Sequence, residues 1–332
     1  MDLRGYRQAV IHATKWLISQ QQKDGAFVPA DQGLATCHKV PYALALMGEE
    51  ERAARLCGWI VEHLMDGEGD FSKLYPRVGF MERYHVYPNA WLVAGAQKLG
   101  LFSLSWPAAG FLVALQHPKS GGFLTAGPSA SLKDEQDLLS TASAGLACLY
   151  HGASDAALRA GEFLTWLLEA QPRGNVLFTS ARYPEKVVTD GFPEADDFHY
   201  VLHMGRPAQF YAPAAMASLF LTKLGDALGS EDYITAARFY LDFIEGGGDD
   251  RYTSIRSGFL GWAAAELYTV TGGQNYLRVA TTVADNLMKQ QLENGSWLQG
   301  SMSADLESDV IDGTAEHIIV LKGITKALTL GQ

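Results

Sequence analysis

The chain has 332 residues, with 26 Lys and Arg against 37 Asp and Glu, and its formal charge of -11 argues against nucleic acid or an anionic membrane as a partner. A hydrophobic content of 48% with 19% charged residues is ordinary for a globular protein with a large core. No run of about 18 uninterrupted apolar residues is present to insert into a membrane.

From the N-terminus onward, helical periodicity, glycine stops and turn clusters predict about twelve helices, while strand-like alternation is nearly absent. The odd-numbered helices are expected at about 2–21, 49–65, 101–116, 153–170, 230–245 and 274–292. Several have one wet face: the run from Ser230 to Ile244 sets Tyr233, Ala237, Tyr240 and Ile244 on one stripe and Glu231, Arg238 and Asp242 elsewhere. The even-numbered helices, at about 33–47, 84–99, 133–151, 206–224, 253–271 and 308–329, are richer in Ala, Gly, Ser and apolar residues and read as buried. Gly48, Gly100, Gly152, Gly225 and Gly272 follow them as left-handed caps.

Each odd helix ends in a polar, glycine-containing turn closed by an aromatic. The six copies run Gln22 to Phe27, His63 to Phe71, Gln116 to Phe123, Gln171 to Phe178, Glu245 to Tyr252 and Gln291 to Trp297. A period of this size marks an array of two-helix units, and six such units can close into a ring. The expected architecture is therefore an all-α single domain over residues 1–332, an (α/α)6 toroid whose even helices line the centre. The long loops fall after the odd helices, on one elaborated face. The longest, about 172–204, contains Phe178, Tyr183, Phe192 and Phe198 and is read as an ordered lid over the mouth. Cys37, Cys57 and Cys148 lie in helix-like segments and read as buried thiols. The first residues, Met1 to Gln8, carry no apolar signal region, so a reducing, cytoplasmic setting is expected.

Chemistry is expected at the mouth ends of the even helices, where helix N-termini converge. The candidate set is His38 and Tyr42; Tyr84, His85, Tyr87 and Trp91; His203, Arg206, Gln209 and Tyr211; Arg256, Phe259 and Trp262. Asp312 and Glu316, four residues apart, place two carboxylates on one face of the last helix. Aromatic faces can stabilise a developing cation, and Glu316 or His317 can orient a substrate or act as general base. No phosphate loop, dinucleotide fingerprint or nucleophile elbow is present, and Cys37-His38 and Cys148 with His151 lie in different repeats, so neither a metal nor a cofactor is expected.

The Gln-x-x-x-Gly-x-aromatic turns resemble those of the alpha/alpha toroid proteins, in particular terpenoid cyclases of the squalene-hopene type and the prenyltransferase beta-subunit fold. Gly229 to Arg238 and Thr271 to Ala280 are equally similar to the six-hairpin sugar-processing enzymes, glycosidases among them. The first resemblance implies an initiating acid in an Asp-x-Asp-Asp motif, whose nearest match is Glu194-Ala-Asp-Asp197 with Asp196 as the acid. Neither Asp196 to Tyr200 nor Asp249 to Thr253 completes the Asp-Asp-x-x-Asp motif of diphosphate-ionising enzymes. The resulting expectation is a ring-forming cyclase or isomerase for a small apolar, polyunsaturated substrate of isoprenoid or polyketide origin. It works without metal, either by acid initiation at Asp196 or by pericyclic, Diels-Alder-like closure aided by His203, Arg206 or Tyr211. The alternative is a carbohydrate-active toroid: a glycoside hydrolase, lyase or epimerase with paired carboxylates or histidines at the mouth.

Overall fold

The computed structural model describes residues 1–27, 34–73, 77–127, 135–184, 186–254, 257–298 and 306–331, with side chains from residue 310 onward in the last stretch. Twelve principal helices follow in order: α1 Leu3–Ser19, α2 Val40–Leu46, α3 Glu50–His63, α4 Val86–Lys98, α5 Phe102–Ala114, α6 Leu138–His151, α7 Ser154–Glu169, α8 Ala212–Leu228, α9 Glu231–Glu245, α10 Gly258–Thr271, α11 Gln274–Gln290 and α12 Leu306–Leu330. The even helices contact one another in sequence, and α12 returns to α2, so the inner ring is closed. Helices α3, α5, α7, α9 and α11 pack outside the inner helix that precedes each, and α1 packs on α12. The fold is an (α/α)6 toroid, and its apolar core runs continuously from Tyr6 to Leu328.

The repeated turns are what fasten neighbouring units. In three of them one glutamine amide donates twice: to its own turn and to a carbonyl of the next outer helix. Gln21 reaches Gly25 and Arg52, Gln116 reaches Gly121 and Ala156, and Gln291 reaches Gly295 and Ala9. The last of these bonds seals the ring. In the first turn the bonding residue is Gln21, not Gln22, because the glutamine must stand four or five residues before the glycine for its amide to fold back. The turn glycines lie against the neighbouring helix. At Gly121, with φ +82°, an added Cβ would come within 2.4 Å of the Arg159 carbonyl oxygen. Gly121→Ala should therefore destabilise the protein by about 2 kcal/mol or more, since left-handed strain adds to a backbone clash. Gly152→Ala, with φ +91° but open space around it, should lose only about 1 kcal/mol; urea midpoints compare the two.

Three expected details differ. The helix expected at about 33–47 is broken into a short turn Leu34–Cys37 and α2, with His38 and Lys39 between them, because Pro41 has no N–H to continue the ladder. Gly225 lies inside α8, where its missing Cβ admits Ile234, and Gly229 makes the left-handed cap instead. The segment 172–204 carries strands. β1 Glu135–Asp137, β3 Ser180–Arg182 and β4 Lys186–Val187 form one small antiparallel sheet in the order β1-β3-β4, and β2 Val176–Phe178 pairs with β5 Val201–His203 in another. Glu135 stands opposite Arg182 and Asp137 opposite Ser180, which ties the segment to the N-terminus of α6. All three cysteines are buried, and none forms a disulfide. No described helix is long and apolar enough to cross a membrane.

Candidate active site

The break before α2 turns Lys39 toward α12. Its ammonium lies 2.7 Å from Asp312 Oδ2 and 2.7 Å from Glu316 Oε2, and 5.4 Å from the centre of the Tyr87 ring. All three charged residues are buried, Lys39 at 3% exposure. Burial pulls the Lys39 pKa down, but Asp312 and Glu316 outweigh it, so the ammonium is held well above its ordinary range. One buried cation thus serves two carboxylates and keeps a third N–H direction for something else.

Two histidines adjoin this triad. His38 Nδ1 lies 2.9 Å from the Leu34 carbonyl oxygen, a contact that requires the proton on Nδ1, and 3.4 Å from Asp312 Oδ1. Its Nε2 is buried with no hydrogen-bond partner. Burial, then Lys39, hold the His38 pKa well below the usual imidazole range. His317, on α12 beside Glu316, is fully buried with its ring edge-on to Trp297 at 5.3 Å; neither nitrogen has a hydrogen-bond partner, and burial lowers its pKa to about 4. Both rings are neutral near pH 7.

A second polar cluster pins the next inner helix. Asp70 accepts from His85 Nε2 at 3.0 Å, Asn89 Nδ2 at 2.9 Å, Ser72 Oγ at 2.6 Å and Arg77 at 2.7 Å. Burial alone would raise the Asp70 pKa, but the His85 hydrogen bond and Arg77 outweigh it and hold it well below the carboxylate range. Arg77 also donates to the His85 carbonyl and to Asn89. A third cluster joins residues 176–203 to the ring. Glu135 accepts from Arg182 at 2.9 Å, the Arg83 guanidinium stacks 4.4 Å over Tyr200, and the Tyr84 hydroxyl meets His199 Nδ1 at 3.0 Å. Asp137 caps α6 by accepting from the Ser140 N–H at 2.9 Å, and burial raises its pKa.

Below these groups the ring axis is plugged by aromatics. Trp91 of α4 stacks on Phe259 of α10 at 5.9 Å and 21°, and these two helices face each other across the ring of six. Tyr42 and Tyr87 pack on Trp91 at 5.7 and 6.3 Å. Trp262 lies one turn further from the mouth, where its indole N–H donates to Glu266, itself 2.5 Å from Lys223.

Of the residues expected from the sequence, His38, Tyr42, Tyr87, Trp91, Phe259, Asp312 and Glu316 therefore meet in one region, with His85 held beside it. The others do not. Asp196 ends an exposed 3-10 turn and is only half-buried, so it lacks the enclosure that an initiating acid needs. The Arg206 side chain is exposed, while its carbonyl accepts from Gln209 and from the Tyr211 hydroxyl. Tyr211 is also 3.3 Å from Asp250, and His203 is half-buried with Nε2 3.8 Å from Asp197. These three serve the turns around 203–211 and 246–250. Arg256 lies outside the described residues. Sequence reasoning missed Lys39, Asp70, Arg77, Arg83, Glu135 and His199; the one available signal was a lysine set in the apolar run Leu34 to Leu46. No described group of three or more His, Cys, Asp or Glu side chains could hold a metal ion.

Two buried histidines and the half-buried His199, all neutral, set the acid response. The folded-state pKa values of His38, His199 and His317 are all depressed, chiefly by burial, to about 3 for His199 and about 4 for His317. The unfolded chain protonates near 6.5, so it binds more protons as pH falls and stability is lost from about pH 6.5 downward. The melting temperature should fall through that window, and His317→Gln should flatten the slope between about pH 6.5 and 4.

No protein-family model matches the sequence, and comparison with curated proteins finds no match. Solved structures do match in fold. A D-mannose isomerase superposes with a TM-score of 0.74 at 12% identity over 97% of each chain. The unsaturated glucuronyl hydrolase of Bacillus sp. GL1 gives 0.66 at 13% over 96% of each. The type II terpene cyclase MstE of Scytonema gives 0.63 at 13% over 99% of this chain and 100% of its own. These structural neighbours are alpha/alpha toroid enzymes of similar span.

Proposed function

We propose that the mouth is an acid–base active site for a polyhydroxylated, sugar-like substrate, and that its reaction is isomerisation or epimerisation by proton transfer at a carbon beside a carbonyl. The observation that carries this reading is the pairing of neutral His38, whose buried Nε2 has no hydrogen-bond partner, and the buried Lys39–Asp312–Glu316 triad. An apolar polyene laid against buried ionic groups would strip their remaining hydration without replacing it. Hydroxyl groups would restore those hydrogen bonds.

In this mechanism His38 Nε2 takes the proton from the carbon next to the carbonyl, and the electron pair moves into an enediolate. The remaining ammonium N–H of Lys39 stabilises the developing oxyanion, while Asp312 and Glu316 keep that ammonium charged and fixed. A hydroxyl proton passes between the two oxygens, and imidazolium returns its proton to the neighbouring carbon, so no group is consumed. The Trp91–Phe259 stack is the platform under the sugar ring, and residues 176–203, anchored through Tyr84–His199 and Glu135–Arg182, are the lid.

The second reading, a ring-forming cyclase on an apolar polyunsaturated substrate, is favoured by the aromatic floor alone. Incubation with a panel of aldoses and ketoses in D2O decides between them. Loss of the proton signal beside the carbonyl for at least one sugar supports the proposal. No exchange across the panel, with turnover of an isoprenoid polyene, would overturn it.

A further inference from the structure

Helix α5 differs from the other outer helices. Those carry charged residues on their solvent side, whereas the sequence from Leu99 to Gln116 contains no Asp, Glu, Lys or Arg. Yet α5 is not covered: Phe102 is 55% and Trp106 66% exposed, and Ser103, Pro107, Gly110, Val113 and Ala114 are exposed with them. An uncharged outer helix showing two large aromatics is the mark of a contact surface.

The order of sizes along α5 identifies the occupant. Large residues occupy the first half of the exposed stripe, Phe102 and Trp106, and small ones the second, Gly110 and Ala114. Gly110 has nothing within 4 Å of where its Cβ would stand. If a second α5 crosses antiparallel about a two-fold axis at residue 108, Trp106 falls opposite Gly110 of the other copy and Phe102 opposite Ala114. Each knob then meets a hole, in both directions at once, as an isologous contact requires. Charge points the same way: two chains of formal charge -11 can approach closely only through a neutral strip, and antiparallel helix dipoles favour the pairing.

We infer that α5 is a homodimerisation face, closed by a second copy of this chain in that antiparallel register. The aromatics, at roughly 150–250 Å² each when fully buried, leave about 200–250 Å² per copy to be covered, well below the ~800 Å² per partner of a stable complex. The flanks of α3 and α7 must supply the rim, and the dimer is a micromolar one. Because the copies carry like charge, salt strengthens it.

Sedimentation velocity on the full chain at about 1 to 200 μM tests the inference. Expected are a concentration-dependent dimer, tighter at higher salt, and monomers for Trp106→Glu and for Gly110→Gln with unchanged circular dichroism and melting temperature. A mixture of Trp106→Cys and Gly110→Cys chains should form an intermolecular disulfide that neither forms as readily alone. A wild-type monomer throughout the range, or a dimer untouched by both variants, overturns the inference. So does a monomer that binds neutral phosphatidylcholine vesicles through Trp106, which would make α5 a lipid contact.

Discussion

Lys39→Met is expected to be among the most destabilising single substitutions in this protein, at about 3–5 kcal/mol near pH 8. It leaves Asp312 and Glu316 buried with no cation between them. The loss should depend on pH in a defined direction. Burial raises the Asp312 pKa even with Lys39 in place, and removing the cation lifts it further above the unfolded value of about 4, so the penalty is full above the raised value and disappears as pH falls toward 4. Urea midpoints at pH 8 and pH 5 therefore converge on wild type at the lower pH. Adding Asp312→Asn and Glu316→Gln should restore much of the stability at pH 8 but none of the activity. A Lys39→Met variant as stable as wild type at pH 8 would show that the triad is not holding α2 to α12.

His38→Gln is expected to separate chemistry from folding. The glutamine amide can keep a bond to the Leu34 carbonyl, but no group remains to exchange a proton. The rate of exchange at the substrate carbon should fall by about 10²–10⁴-fold, on the order of 2.7–5.5 kcal/mol in the barrier, with an unchanged melting temperature at pH 7.5. Asp196→Asn and Arg206→Gln, both altering side chains outside the buried cluster, should retain activity within a factor of about three. The reverse pattern, loss at Asp196 and none at His38, would move the protein to acid-initiated cyclisation.

The ring was legible in the sequence because its repeated device is local. A glutamine, a left-handed glycine and an aromatic within eight residues announce the first, third and sixth turns, and the spacing of the closing aromatics in all six announces the number of units. The site was legible only in halves. Asp312 and Glu316 stand out as a carboxylate pair, and His38 as a histidine at an inner mouth, but Lys39 takes its meaning from a partner 273 residues away. Ring closure alone brings them together. The two small sheets escaped notice because strands of two or three residues are too short to show alternation. The surroundings of Arg206 and Tyr211 were hidden for a related reason: their position near an inner-helix mouth is plain, whereas the Arg206 carbonyl and the Asp250 carboxylate that the Tyr211 hydroxyl meets come from turn backbone and from the next hairpin.

The bond from Gln291 to Ala9 changes how the molecule can come apart. An open stack of hairpins has two terminal units, each held by one neighbour, and such arrays fray from their ends. Here every hairpin has two neighbours, so the first to leave must break two seams at once, and the resulting open arc is poorer by an interface that no remaining unit can replace. Partial openings are thereby lifted toward the free energy of complete unfolding. The protein should exchange its inner-helix amide protons almost in unison, as one cooperative body, despite being assembled from six near-equivalent parts.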